Sequence, residues 1–301
     1  MGTARGSLVG LRHDIATIVT AERAIETVSP QALDEGRFPL GLPALDTAIG
    51  GGLRRAALHE IFAASAGDAA ATRGFALALT ACAAAHRPII WVRQDMVAQE
   101  QGELHAPGLQ EFGLPPEDVV LLRMPDALQA LRAGHEALRC QAPGVVVVEL
   151  WGAPKALDLT ASQRLNRAAA KAGVTALLIR SGTGATPQPS AALTRWSVCA
   201  APSSPLAAGA PGAPAFEIGL LLHREGYPPQ TFRVEWNRDD RAFRKAALSR
   251  PVAASSGDRP PASPVRENRP AGWNVVPLQG PFHGDSRVEH PSQTGRRRAA
   301  G

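Results

Sequence analysis

Five apolar runs recur between residues 57 and 180, and most are separated by a stretch of helical periodicity. They are ALHEIF (57–62), PIIWVRQ (88–94), DVVLLRM (118–124), GVVVVEL (144–150) and VTALLIR (174–180). Between them lie ATRGFALALTACAAAH, PDALQALRAGHEALRC and DLTASQRLNRAAAKAG, the second opening on Pro125-Asp126 and the third on Asp158, residues suited to helix starts. Strand, helix, strand at this spacing requires right-handed crossovers, and so predicts an α/β fold: a mostly parallel central sheet with helices on both faces. Four successive valines, 145–148, demand a strand covered on both sides.

The flanks follow other patterns. Leu8, Leu11, Ile15, Ile18, Ile25 and Val28 mostly share one helical face, which predicts a short helix before the Ser29-Pro30 break. The stretch RFPLGLPALDTAIGGGL, with a triple glycine at 50–52, leads into the first strand. After residue 181 a polar SGTGATPQPS loop gives way to TRWSVCAAP, AFEIGLLLHRE and QTFRVEWNR, the last two flanking a GYPP turn, which predicts an antiparallel extension of the sheet. We therefore expect an N-terminal helical segment at 1–37, a core domain at 38–245 and a disordered Pro/Arg-rich tail at 246–301, with GWNVVPL its one apolar island.

Charge divides along the same lines. The whole chain carries a formal +5, but from Arg241 onward 11 Lys and Arg face 4 Asp and Glu, so the preceding residues are slightly acidic. Arginine outnumbers lysine 29 to 3, so part of the tail's basicity reflects codon usage. Three widely spaced cysteines, Cys82, Cys140 and Cys199, form no CxxC pattern and read as small buried hydrophobes in a reducing compartment. With no apolar run of membrane-spanning or signal-peptide length, the expected location is the cytoplasm, without a membrane partner.

The loop after the first strand is the most telling segment. A working phosphate loop, GxxxxGK[ST], offers backbone N–H groups, a lysine for the phosphate oxygens and a hydroxyl for magnesium. Here the corresponding residues run Ala63-Ala64-Ser65-Ala66-Gly67-Asp68-Ala69-Ala70, with alanine at the lysine and hydroxyl positions and a repelling carboxylate at Asp68. Asp68 is expected to cap the following helix instead. Glu149, at the end of GVVVVEL, stands where an acidic residue would orient magnesium, although such a strand-end carboxylate also reads as a solvated or capping group. Thr72 and Arg73 lie a turn into the helix and are expected to point away from its N-terminus. These readings predict no catalytic residue, no cofactor and no metal. FHGDSRVEH (282–290) has metal-ligand chemistry but falls in the tail.

From Leu11 to the WNR at 236–238, the motifs LGLPALD, GGGL, LHEIFA, GDAAAT, ALDLTASQRLNRAAAKAGVTALLIR and HREGYPPQTFRVEWNR resemble the ImuA family of inducible mutagenesis proteins, sometimes labelled SulA-like. The resemblance implies a RecA-like fold with a degenerate phosphate loop. It also implies a non-catalytic accessory role in SOS-induced translesion DNA synthesis and DNA repair, beside an ImuB-type adaptor and an error-prone polymerase, with RecA as a further contact. By the same resemblance WGAPKALDLT and SGTGATPQPS correspond to the two DNA-facing loops of the recombinase. Their sparse positive charge implies weak or indirect DNA contact, with Lys155, Arg180 and Arg195 the candidates for an anionic or partner contact. Two alternatives stay open: an ATPase with an altered site built on Arg73 and Glu149, and a division inhibitor of the SulA type.

Overall fold

The computed structural model describes residues 36–182, 188–204, 206 and 212–246. The helix expected at 8–27, the tail beyond Ala246, its apolar island and the FHGDSRVEH segment lie outside the described residues.

The described chain begins with a small antiparallel ribbon, β1 (Arg37–Phe38) against β2 (Leu53–Arg54), around helix α1 (Pro43–Ala48). The triple glycine makes this ribbon close. Gly50, Gly51 and Gly52 have φ of +76°, +92° and +122°, and a Cβ on Gly52 would sit 2.4 Å from the Phe38 carbonyl oxygen. Asp46 ties the turn by accepting the Leu40 and Gly41 N–H groups at 2.7 and 3.0 Å.

Nine further strands build one sheet: β3 (Leu58–Ala63), β4 (Ile89–Gln94), β5 (Val119–Met124), β6 (Val145–Trp151), β7 (Thr175–Ser181), β8 (Thr194–Ala200), β9 (Ala215–His223), β10 (Gln230–Asn237) and β11 (Ala242–Lys245). Their spatial order is β11-β10-β9-β8-β3-β7-β6-β4-β5. From β8 through β5 every neighbouring pair is parallel, and from β9 outward every pair is antiparallel. The α/β class read from the sequence is thus what the structure shows, with one refinement. The TRWSVCA run is antiparallel only to β9, and it lies parallel to β3.

Helices cover both faces. On one side α2 (Ala69–Ala83), which is rich in alanine and buried along most of its length, sets its Phe75 in a cluster with Trp91, Trp196, Phe216 and Phe243. The other side holds α5 (Ala127–Leu138) and α6 (Leu159–Ala172), whose Leu131, Leu138 and Leu165 meet Ile90, Val92, Val146 and Val148. Asp126 and Asp158 cap these two helices as expected, accepting from the N–H groups of Gln129 at 2.8 Å and Ala161 at 2.6 Å. Gly173, at φ +72°, ends α6. Two short helices, α3 (Asp95–Gln101) and α4 (Ala106–Glu111), connect β4 to β5.

Below the ribbon, His59 on β3 is fully enclosed. Its Nδ1 lies 2.7 Å from the Thr194 hydroxyl and its Nε2 lies 2.8 Å from the Arg54 carbonyl oxygen. The Arg54 carbonyl can only accept, so in the neutral ring Nε2–H donates to it and Nδ1 accepts the Thr194 hydroxyl, whose oxygen also takes the Trp196 indole N–H at 2.8 Å.

Candidate functional site

Parallel strands of an α/β sheet present their carboxyl ends, with the loops that follow, as the usual place for a site. Here that edge carries the loop from β3 to α2, Glu149 on β6, and Arg180 on β7.

The loop is not folded as an anion cradle. Residues Ala66–Asp68 form a single 3₁₀ turn, and no residue from 57 to 84 has a positive φ, so the backbone lacks the alternating conformation that turns successive N–H groups toward one anion. A Cβ on Gly67 would meet nothing closer than the Ser65 hydroxyl at 3.7 Å, so its backbone does not call for glycine. Asp68 holds the helix N-cap position without capping it, contrary to the sequence expectation. Its carboxylate accepts the Ser65 hydroxyl at 2.6 Å and the Ala200 N–H at 3.0 Å, pinning the loop to the end of β8. The Ser65 bond, then the Ala200 bond, outweigh partial burial and hold the Asp68 carboxyl below its ordinary pKa. Ala63 is buried, Ala69 is nearly so, and Ala70 faces outward, as small methyl groups at the three positions.

Glu149 is neither solvated nor a cap: it is completely buried. Strand register sets Arg93 of β4 beside it, and Arg93 Nε donates to Oε2 at 2.9 Å while the Trp91 indole N–H reaches the same oxygen at 3.1 Å. The other oxygen accepts Arg73 Nε at 3.0 Å, so Arg73 turns inward to the strand rather than away from the site. Gln101 of α3 in turn accepts from Arg73. Arg93 also reaches the Val97 carbonyl oxygen at 3.4 Å and lies 3.6 Å from Glu103, and burial lowers the pKa of its guanidinium. The carboxylate that would face a metal therefore sits between two cations. Thr72 is spent within α2, donating to the Asp68 carbonyl oxygen at 2.8 Å.

A second cluster occupies the opposite face of the same edge. Glu60 of β3 is buried between Arg195 of β8, at 2.9 Å, and Arg180 of β7, at 3.7 Å, with both guanidiniums over the Phe62 ring at 5.0 and 5.3 Å. Arg195 also donates to the Gln188 carbonyl oxygen and Arg180 to that of Gly152. The structure thus gives Arg180 and Arg195 an anionic contact within the chain, and both side chains are buried, while Lys155 is exposed. Burial lowers the pKa of the Arg180 guanidinium, an effect only partly offset by Glu60.

Glu60, Phe62, Trp91 and Arg93 were not singled out in the sequence reading. The available signal was a charged residue inside an apolar run, Glu60 in ALHEIF and Arg93 in PIIWVRQ, since a charge on a doubly covered strand needs a buried counter-charge. Among the described residues no group of three or more His, Cys, Asp or Glu side chains is arranged to hold a metal, and no helix is long and apolar enough to cross a membrane.

Sheet and site together define the class: an α/β protein with a mostly parallel central sheet, helices on both faces, and its first sheet strand, β3, set between β7 and β8. No family model matches the sequence and no curated protein is similar to it. Among solved structures, the chain is similar to one titled "Crystal structure of the RadB recombinase", with a TM-score of 0.47 and 15% identity, over 70% of this chain and all of that one.

Proposed function

We propose that the chain is a non-catalytic accessory protein of damage-induced translesion DNA synthesis that keeps a RecA-like core without its nucleotide chemistry. One observation carries the non-catalytic part: Glu149, in the position for magnesium, is fully buried and shared by Arg73, Arg93 and Trp91. A divalent cation entering here would have to displace two guanidiniums, and the alanines at 69 and 70 offer neither charge nor hydroxyl in exchange. The role beside an ImuB-type adaptor and an error-prone polymerase, with RecA as a further contact, rests on the resemblance of the sequence motifs to the ImuA family.

Two experiments test the two halves. Calorimetric titration with ATP and Mg²⁺ is expected to give no saturable heat at millimolar nucleotide; micromolar binding, lost in folded Arg73→Ala or Glu149→Ala, would overturn this reading in favour of an altered nucleotide site, whose ATPase activity phosphate release would then test. Pull-down from damage-induced cells is expected to recover an inactive polymerase-like adaptor and a replicative-type polymerase, and their absence would remove the translesion role.

A further inference from the structure

Helices α5 and α6 lie on the face of the sheet opposite α2, and a groove of about 620 Å³ runs between them. Leu128, Leu131 and Leu165 supply its apolar lining, while Arg132 on α5 and Arg164 on α6 stand on the two sides. Both arginines are exposed, and neither has an ion-pair or hydrogen-bond partner among the described residues. The carboxylates at the groove are already engaged: Glu136 by Arg139 at 3.2 Å, and Asp158 by the first turn of α6. Leu128, on the lining, leaves 44% of its surface exposed. Along α6 the charged residues are Arg164, Arg167 and Lys171, all cations and all exposed.

We propose that this groove binds an acidic peptide segment of a partner protein, with one large apolar side chain seated on Leu128, Leu131 and Leu165 and flanking carboxylates paired with Arg132 and Arg164. The charge of the free side chains selects an anionic partner, because the only acids present are spent. The lining selects a peptide over a nucleic acid. No Phe, Tyr or Trp lines the groove for a base to stack on, and its one ring, His135, lies 3.5 Å from Glu136. An arginine on each side of an apolar slot suits an anchor residue between two carboxylates, since guanidiniums pair with them through two parallel bonds. None of the lining residues belongs to the loop from β3 to α2 or to the clusters around Glu149 and Glu60, so the inference stands whether or not nucleotide binds there.

The test is fluorescence anisotropy on the full-length protein with a labelled peptide, Asp-Glu-Phe-Glu-Ile-Asp-Glu. Saturable binding is expected, weakened about tenfold or more in Arg132→Glu/Arg164→Glu and again by about 0.5 M salt, as for partly exposed charge pairs. A peptide with lysine at every acidic position is expected not to bind, and one with alanine for Phe and Ile to bind much more weakly. The Arg132→Gln/Arg164→Gln pair is measured alongside, and melting temperatures check that each variant is folded. The proposal is overturned by absence of saturable binding, by equal binding of the lysine peptide, or by undiminished binding to both folded variant pairs. A single-stranded oligonucleotide that displaces the peptide, and that loses its own binding on charge reversal, would also overturn it in favour of a polyanion surface.

Discussion

Replacing Glu149 removes the carboxylate shared by Arg73 and Arg93, and leaves the buried Arg93 with only the more distant Glu103, at 3.6 Å. Glu149→Gln keeps the shape and is expected to destabilise the fold by about 3–5 kcal/mol, the usual cost of stranding a buried charge. Urea unfolding would measure it, and a variant as stable as the parent would show that the cluster contributes no net interaction. Arg93→Leu/Glu149→Leu is expected to recover much of the loss, because burying neither charge costs less than burying one. His59 gives a pH signature at the same scale. Burial, first, and then the nearby His223 and Arg37 push its pKa down from 6.5 to about 4, against the Arg54 carbonyl and Glu225. The unfolded chain takes up this proton near pH 6.5 and the folded chain only near 4, so its contribution is complete above 6.5. Stability therefore falls as pH drops through that window and levels off below it, by on the order of 3 kcal/mol in total. Unfolding midpoints at pH 7.5 and 4.5 would read this, and His59→Gln is expected to flatten the difference.

Helix α5 meets β6 through a glycine. A Cβ on Gly134 would lie 2.5 Å from Val148 Cγ2, so Gly134→Ala, which adds helix propensity on an exposed surface, is expected here to destabilise by about 1–3 kcal/mol through overpacking. Val148→Ala in the same chain should restore part of that loss, and a double variant no better than the single would refute the contact. Legibility from the sequence also differed by element. The five strands and the three long helices were readable, because each holds an apolar pattern long enough to show its period and two of the helices carry a capping aspartate. β1, β2, β11, α3 and α4 were not, being too short for periodicity and defined by what they pair with or connect. The site was half legible. Alanines 69 and 70 are visible as absences in a motif, but the fate of Glu149 depends on Arg93 and Trp91, which reach it only through the pairing of β4 with β6. Likewise Glu60, Arg180 and Arg195 come from three strands far apart in the chain, and only the sheet order brings them together.

The large sheet is held by β3, its earliest strand, inserted between two of its later ones, β7 and β8. Neither neighbour exists until more than a hundred residues later, so the core closes late and through non-local pairing, which slows folding. A chain ending at Gly182 would leave the β8-facing side of β3 and aromatics such as Phe75 uncovered, and is expected to accumulate as insoluble protein. The soluble fraction on expression, compared with a chain ending at Ala246, measures this. Comparable solubility of the two would mean that β3 is secured without β8.

The pair of guanidiniums on Glu149 also bears on how the molecule could change by mutation. Placing lysine at position 69 alone would bring a third cation toward a carboxylate already held by two, and so would encounter repulsion before it met any phosphate. On the proposed non-catalytic reading, building a lysine-and-hydroxyl phosphate grip here would need coordinated substitutions at 69, 70, 73 and 93. On that reading, the arrangement acts as a ratchet, making a nucleotide grip harder to gain by single steps than further divergence.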